Sequence, residues 1–214
     1  MKSKFTKLFA ALALLVCMMP SMVGWGQTRD EEVVYSTCLF GTTYNSQSVS
    51  SYTATWTATN GGFTWTIVNG NNNNNGWGYV KFGRKNNASV GSISTQASYS
   101  EAITKVDLTI DAITTASINS IKLYTSSDNS TWTEAGAFDK STGTKTVTLA
   151  TPTANLYYKI EFDCASGSSN GLIQVSKVEY YHVTSTPIVA TPTFSPAAGT
   201  YTEAQTVTIT CATE

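Results

Sequence analysis

After its first two dozen residues the chain alternates. In YTATWTAT (52–59), Tyr52, Ala54, Trp56 and Ala58 fall on one side of an extended backbone, and only threonines fall on the other. Phe63, Trp65 and Ile67 repeat the pattern in GFTWTIV, and Val106, Leu108 and Ile110 repeat it in KVDLTID. Ile121 with Leu123, Val147 with Leu149, and the row Leu156, Tyr158, Ile160, Phe162, Cys164 continue it. Successive side chains of a strand point to opposite faces, so such rows predict strands with one buried face. No window past the leader carries the 3.6-residue repeat of an amphipathic helix. Only 13% of residues are charged, and Thr, Ser, Asn, Gly and aromatics are abundant. Branched and aromatic side chains pack well on a pleated surface, which favours the same conclusion.

Turn chemistry separates the rows. Asn60-Gly61-Gly62 is a short-hairpin signal, because asparagine and glycine tolerate positive φ. SSDNS (126–130) and KSTG (140–143) read as further turns. Roughly eight to ten strands between residues 33 and 182 predict an all-β fold, an antiparallel two-sheet β-sandwich, in one domain.

The ends read differently. Lys2, Lys4 and Lys7 precede the apolar LFAALALLVCMM, and Gly24-Trp25-Gly26 offers a small-x-small cleavage pattern. Residues 1–26 are therefore expected to be a signal peptide, followed by an N-terminal tail (27–32), the sandwich (33–182) and a Pro/Thr linker (183–196). Residues 197–214 then begin a further, truncated module, in which Val207 and Ile209 alternate. Without the leader, ten basic residues face fourteen acidic ones, a net charge of −4. No basic run survives, which argues against nucleic acid and anionic membrane surfaces as partners, and against membrane insertion once the leader is removed. The expected location is secreted or associated with the cell envelope.

Two resemblances follow from particular motifs. ATPTFSPAAGTYTEAQTVTITCATE resembles the opening of a chitobiase/β-hexosaminidase C-terminal-type domain, an Ig-like module, which implies downstream domains of the same polypeptide. IKLYTSSDNSTWTEAGAF and YYKIEFDCASGSSNGLIQVSKVEYY resemble the galactose-binding-like (discoidin-type) jelly rolls of exported Bacteroidetes proteins. That resemblance implies an antiparallel sandwich that binds sugars or surface ligands through loops at one end. It also implies that cysteines near the first and last strands are sometimes linked.

Catalytic apparatus is missing. A hydrolase needs a positioned nucleophile and base, or two carboxylates across a gap. The single histidine, His182, has no acid or nucleophile motif attached and reads as a solvated strand end. Asp107 and Asp111 alternate with Thr109 as a solvated face does, and Glu161 and Asp163 share a polar face with Lys159. No cofactor is expected. A structural calcium is compatible with the jelly-roll resemblance, but no run has the spaced oxygen ligands of a calcium loop. Three cysteines remain after the leader, Cys38, Cys164 and Cys211, an odd number. Cys164 fits a small buried hydrophobe or one half of a Cys38–Cys164 disulfide.

The stretch NGNNNNNGWGYVKFGRKNN (69–87) carries the best ligand signal. If Val80 and Phe82 face the core, Trp77, Tyr79 and Lys81 face the other way. Stacked aromatics suit the flat C–H faces of pyranoses, and Asn75 within the asparagine run, with Arg84, would supply donors and acceptors to hydroxyls. Alternatively, a bulge at Gly76 and Gly78 turns Trp77 into the core, and GRKNNAS is a plain turn with solvated cations. The expected function is a non-catalytic accessory module that binds glycan or another cell-surface ligand; a spacer or adhesin-type segment is the alternative.

Overall fold

A computed structural model describes residues 28–41, 44, 48–73, 77–187 and 192–210. The leader with its cleavage site, Asn75 and Cys211 lie outside them. In chain order the strands are β1 (Thr28–Leu39), β2 (Thr55–Asn60), β3 (Phe63–Val68), β4 (Val80–Phe82), β5 (Ser89–Thr95), β6 (Ile103–Ile113) and β7 (Ile118–Ser126). They continue as β8 (Thr133–Ala137), β9 (Gly143–Thr148), β10 (Tyr157–Cys164), β11 (Ile173–Pro187), β12 (Thr193–Ser195) and β13 (Thr208–Thr210).

Eleven of these form an antiparallel two-sheet sandwich over Glu31–Thr184. One sheet has the order β1-β11-β6-β9, with β4 also pairing β11; the other runs β2-β3-β5-β10-β7-β8. The aromatic and aliphatic rows fill the space between. Trp65, Ile67, Leu108, Leu123, Tyr158, Ile160 and Phe162 are fully buried, and the threonines of β2 and β9 face outward. Phe82 of one sheet stacks on Phe162 of the other, with centroids 4.3 Å apart and planes at 12°. Farther along, Tyr180 meets Tyr158 at 5.6 Å. Burying each such ring contributes about 1.5–3 kcal/mol, which makes the alternation binding: a one-residue slip would send the whole row into water.

Turns form where the sequence places them. β2 and β3 pair from Asn60↔Phe63 outward, closed by Gly61 and Gly62 at φ +58° and +84°. The β7–β8 turn is organised by Asp128, whose Oδ1 accepts from the Ser130 N–H at 2.9 Å and the Thr131 N–H at 2.7 Å. These bonds, the Thr131 N–H foremost, and the Ser126 hydroxyl hold its carboxyl well below the usual range.

Two boundaries shift. β1 begins at Thr28, and β11 runs on to Pro187, so residues 28–32 of the expected tail and 183–187 of the expected linker are strand. Thr184 Oγ1 donates to Glu31 O, and Ser185 Oγ donates to Asp30 Oδ1 at 2.5 Å. HVTST contains no proline, so nothing interrupts pairing until Pro187, which lacks an N–H. The remaining ribbon, β12 with β13, pairs Phe194 with Ile209 and leaves both exposed.

The cysteines are corrected as well. Cys38 and Cys164 are free, buried thiols, not a disulfide. Cys38 lies close enough to Tyr99 and Tyr180 to act electrostatically on both, and Tyr180 packs on Tyr158. Cys164 stands about 20 Å farther along β10 than Tyr158, at about 3.3 Å per residue. A disulfide requires Cα atoms within about 7 Å. Burial pushes the Cys38 thiol far above its ordinary pKa and the Cys164 thiol up to about 12, so both are poor nucleophiles.

Candidate functional site

Strand order brings three distant loops to one end of the sandwich: the segment before β2, the β4–β5 turn and the β10–β11 loop. Hydrogen bonds lock the second and third together. Gly171 N–H donates to Gly83 O at 2.9 Å, and Asn86 N–H donates to Gly167 O at 2.9 Å. Lys85 N–H donates to Asn170 Oδ1 at 2.7 Å, and Asn87 Nδ2 donates to Lys85 O at 3.0 Å. Between them lies a shallow, open cleft of about 400 Å³ lined by Ser51, Tyr52, Thr53, Arg84, Asn86 and Asn170, together with Lys85 and Asn87.

Beside the cleft lies the aromatic group anticipated from the register of β4. Val80 and Phe82 are fully buried, whereas Trp77, Tyr79 and Lys81 are half-buried on the other side. Trp77 and Tyr79 stack with centroids 5.1 Å apart and planes at 29°. Lys81 Nζ sits 4.2 Å from the Trp77 centroid and 5.4 Å from that of Tyr79. The two rings and the ammonium therefore pack on one another at the loop end.

Gly171 joins the two halves. A Cβ there would stand 2.8 Å from Lys81 Cδ and 2.9 Å from the Tyr52 hydroxyl, and the residue has φ +75°. Only glycine permits that backbone and lets both side chains close in. Burial, followed by the neighbouring Tyr79, raises the pKa of Tyr52, so its hydroxyl stays a neutral donor and acceptor.

Asn71 and Asn72, at the start of the asparagine run, are structural amides; Asn75, expected at a polar rim, lies outside the described residues. Asn72 is fully buried; its Oδ1 accepts from Val49 N–H at 2.7 Å and its Nδ2 donates to Phe40 O at 3.2 Å. Asn71 Nδ2 donates to Ser50 O at 2.7 Å, while its backbone pairs with Lys81. These amides replace missing sheet partners and brace the segment from Ser48 to Thr53 against β4. A run of identical polar residues reads as solvent-facing until a loop crosses over it, which is why sequence reasoning missed the plug.

Sequence reasoning also missed Tyr52, Lys85 and Asn170. Tyr52 extends a core row by one position and emerges at the cleft instead. A cue did exist: no Asp or Glu occurs from Val33 to Ser100, so the cations of GRKNN lie in an acid-free segment.

The remaining candidates lie elsewhere. His182 is packed, not solvated, with its ring 5.2 Å from Tyr35 and Nδ1 3.7 Å from a Glu101 oxygen. Asp107 accepts from Thr146 at 2.6 Å and Asp111 from Ser176 at 2.8 Å, on the outer face. Lys159 pairs with Glu161 at 3.3 Å. Among the described residues no group of three or more His, Cys, Asp or Glu side chains is placed to hold a metal ion.

No protein-family model matches the chain, and no curated protein matches it. Among solved structures it is similar to CBM32-1 from a family 31 glycoside hydrolase from Clostridium perfringens, at 18% identity and a TM-score of 0.34, covering 49% of this chain and 76% of that one.

Proposed function

We propose that this chain is an exported, non-catalytic accessory module that binds carbohydrate at the loop end of its sandwich, within a longer multidomain polypeptide. One observation carries the reading: the stacked Trp77–Tyr79 pair lies beside a cleft walled by Tyr52, Arg84 and Asn170. A pyranose offers a flat apolar face and a ring of hydroxyls. Aromatic surface takes the first, and fixed amides, hydroxyls and a guanidinium take the second. Because the β4–β5 turn and the β10–β11 loop are bonded to each other, and the segment before β2 to Asn71 and Asn72, before any ligand arrives, little ordering entropy is lost on binding.

Export rests on the Lys-rich, apolar leader and its Gly24-Trp25-Gly26 site. The ribbon of β12 and β13, with Phe194 and Ile209 exposed, is in keeping with the first strands of an Ig-like module completed downstream. Affinity-gel electrophoresis of the chain from Gln27 against a panel of neutral and charged polysaccharides tests the binding. Retardation lost in Trp77→Ala and Tyr79→Ala supports it. Free migration on every gel, with both variants folded, would leave a spacer or adhesin-type role.

A further inference from the structure

We infer that the cleft selects an anionic glycan, with a carboxylate or sulfate of the sugar held by Arg84 and Lys85 while the ring lies toward Trp77 and Tyr79. This rests on the carbohydrate-binding reading above and narrows it to a substrate class.

Lys105, Lys122, Lys145, Lys159 and Lys177 each have a carboxylate oxygen within 4 Å, namely from Glu32, Glu134, Asp139, Glu161 and Glu179. Lys81, Arg84 and Lys85 have none among the described residues; Arg29 and Lys140 also have none, but Lys140 Nζ is taken by Ile118 O at 2.9 Å. The first three are the only charged residues from Val33 to Ser100, and no acid occurs between Asp163 and Glu179, where the third loop lies. Every segment that lines the cleft is thus free of carboxylates, in a chain with an acidic balance once the leader is removed.

Such an arrangement has a recognisable consequence. Cations lining a concave surface focus a positive potential there, and no carboxylate among the described residues pairs with them. Arg84 is half-buried beside Tyr52, and its planar guanidinium can take a carboxylate or sulfate with two parallel N–H donors. The Lys85 backbone is bonded to Asn170, which holds this exposed residue at the rim of the cleft. The Asn86 amide and the Asn87 Oδ1 line the same cleft and suit the neutral part of the sugar, whereas Asn87 Nδ2 is taken by Lys85 O and the Ser51 and Thr53 hydroxyls bond each other at 3.0 Å.

The test pairs each charged polymer with a neutral counterpart. Polygalacturonate against fully methyl-esterified pectin isolates the carboxylate; carrageenan against agarose isolates the sulfate. Affinity electrophoresis and titration calorimetry of the full mature chain read the result. The expected outcome is at least tenfold tighter binding to one anionic polymer than to its neutral partner. That preference should be lost in Arg84→Gln, weakened in Lys85→Gln and unchanged in Lys122→Gln, whose partner is Glu134. Which polymer wins identifies the acid group. Lys85 is exposed, so its substitution keeps the test valid even if Arg84→Gln unfolds. Equal binding to charged and neutral polymers, abolished by Trp77→Ala, would overturn the anionic preference and leave carbohydrate binding standing. Anionic binding that survives both charge substitutions would place it on another surface and overturn the inference. Silence on all four polymers would overturn both.

Discussion

Among the described residues are two Trp–Tyr–Lys groups, and they differ in what surrounds the lysine. At the loop end Lys81 lies over Trp77 and Tyr79; on the outer face of the second sheet Lys159 lies 4.9 Å from the Trp132 ring and 4.8 Å from Tyr124. Lys159 also pairs with Glu161, and nearby Lys122 pairs with Glu134 at 2.8 Å. The sheet-face group is electrostatically closed and lies on a flat surface. The loop-end group lacks a carboxylate and borders a cleft. Similar residues thus give surface packing in one place and a binding candidate in the other.

The sharpest break in this comparison comes from the aromatic rings. Trp77→Ala is expected to weaken glycan binding by about thirtyfold or more, the roughly 2 kcal/mol of a central aromatic contact, measured by calorimetry. Trp132→Ala should change it by less than about twofold. Equal losses would erase the distinction.

Next comes the buried amide under the loop-end group. Asn72→Ala leaves Val49 N–H without a side-chain acceptor and should lower unfolding free energy by about 1–3 kcal/mol in a urea melt. Binding should fall with it, because β4 and the segment before β2 lose their brace.

Acid should act on the sheet-face side. The Asp128 carboxyl is depressed in the fold, so its contribution is present above its unfolded pKa of about 3.9 and is lost as pH falls through the folded value. The difference in melting temperature between wild type and Asp128→Ala should therefore be steady near neutrality and shrink below about pH 4. A gap that widens in acid would contradict the hydrogen-bonded turn.

The smallest effect is expected from Glu161→Gln, which should alter stability by no more than about 1 kcal/mol, as for other half-exposed pairs. It also releases Lys159. If pairing is what silences the sheet-face group, weak affinity for anionic polymers should appear there and vanish in salt.

Much of the interior was legible in the chain. Trp56, Trp65, Ile67, Tyr158 and Phe162 lie where alternation puts them, because facing is a local property of an extended backbone. The outward turn of Trp77, Tyr79 and Lys81 followed from the same rule. Other features were not legible. Asn71 and Asn72 look like solvent-facing loop residues until Val49 and Phe40 cross over them. Tyr52, Arg84 and Asn170 give no sign of meeting.

Period two in the sequence determined which side chains are inside, since each strand carries that information within itself. The folded structure alone decided which strands are neighbours, and with that which loops share an end. Pairing β11 with β1, β4 and β6 depends on backbone bonds between segments distant in sequence, and those bonds are blind to side-chain identity. The cleft is made by that pairing, so no single stretch of the chain announces it.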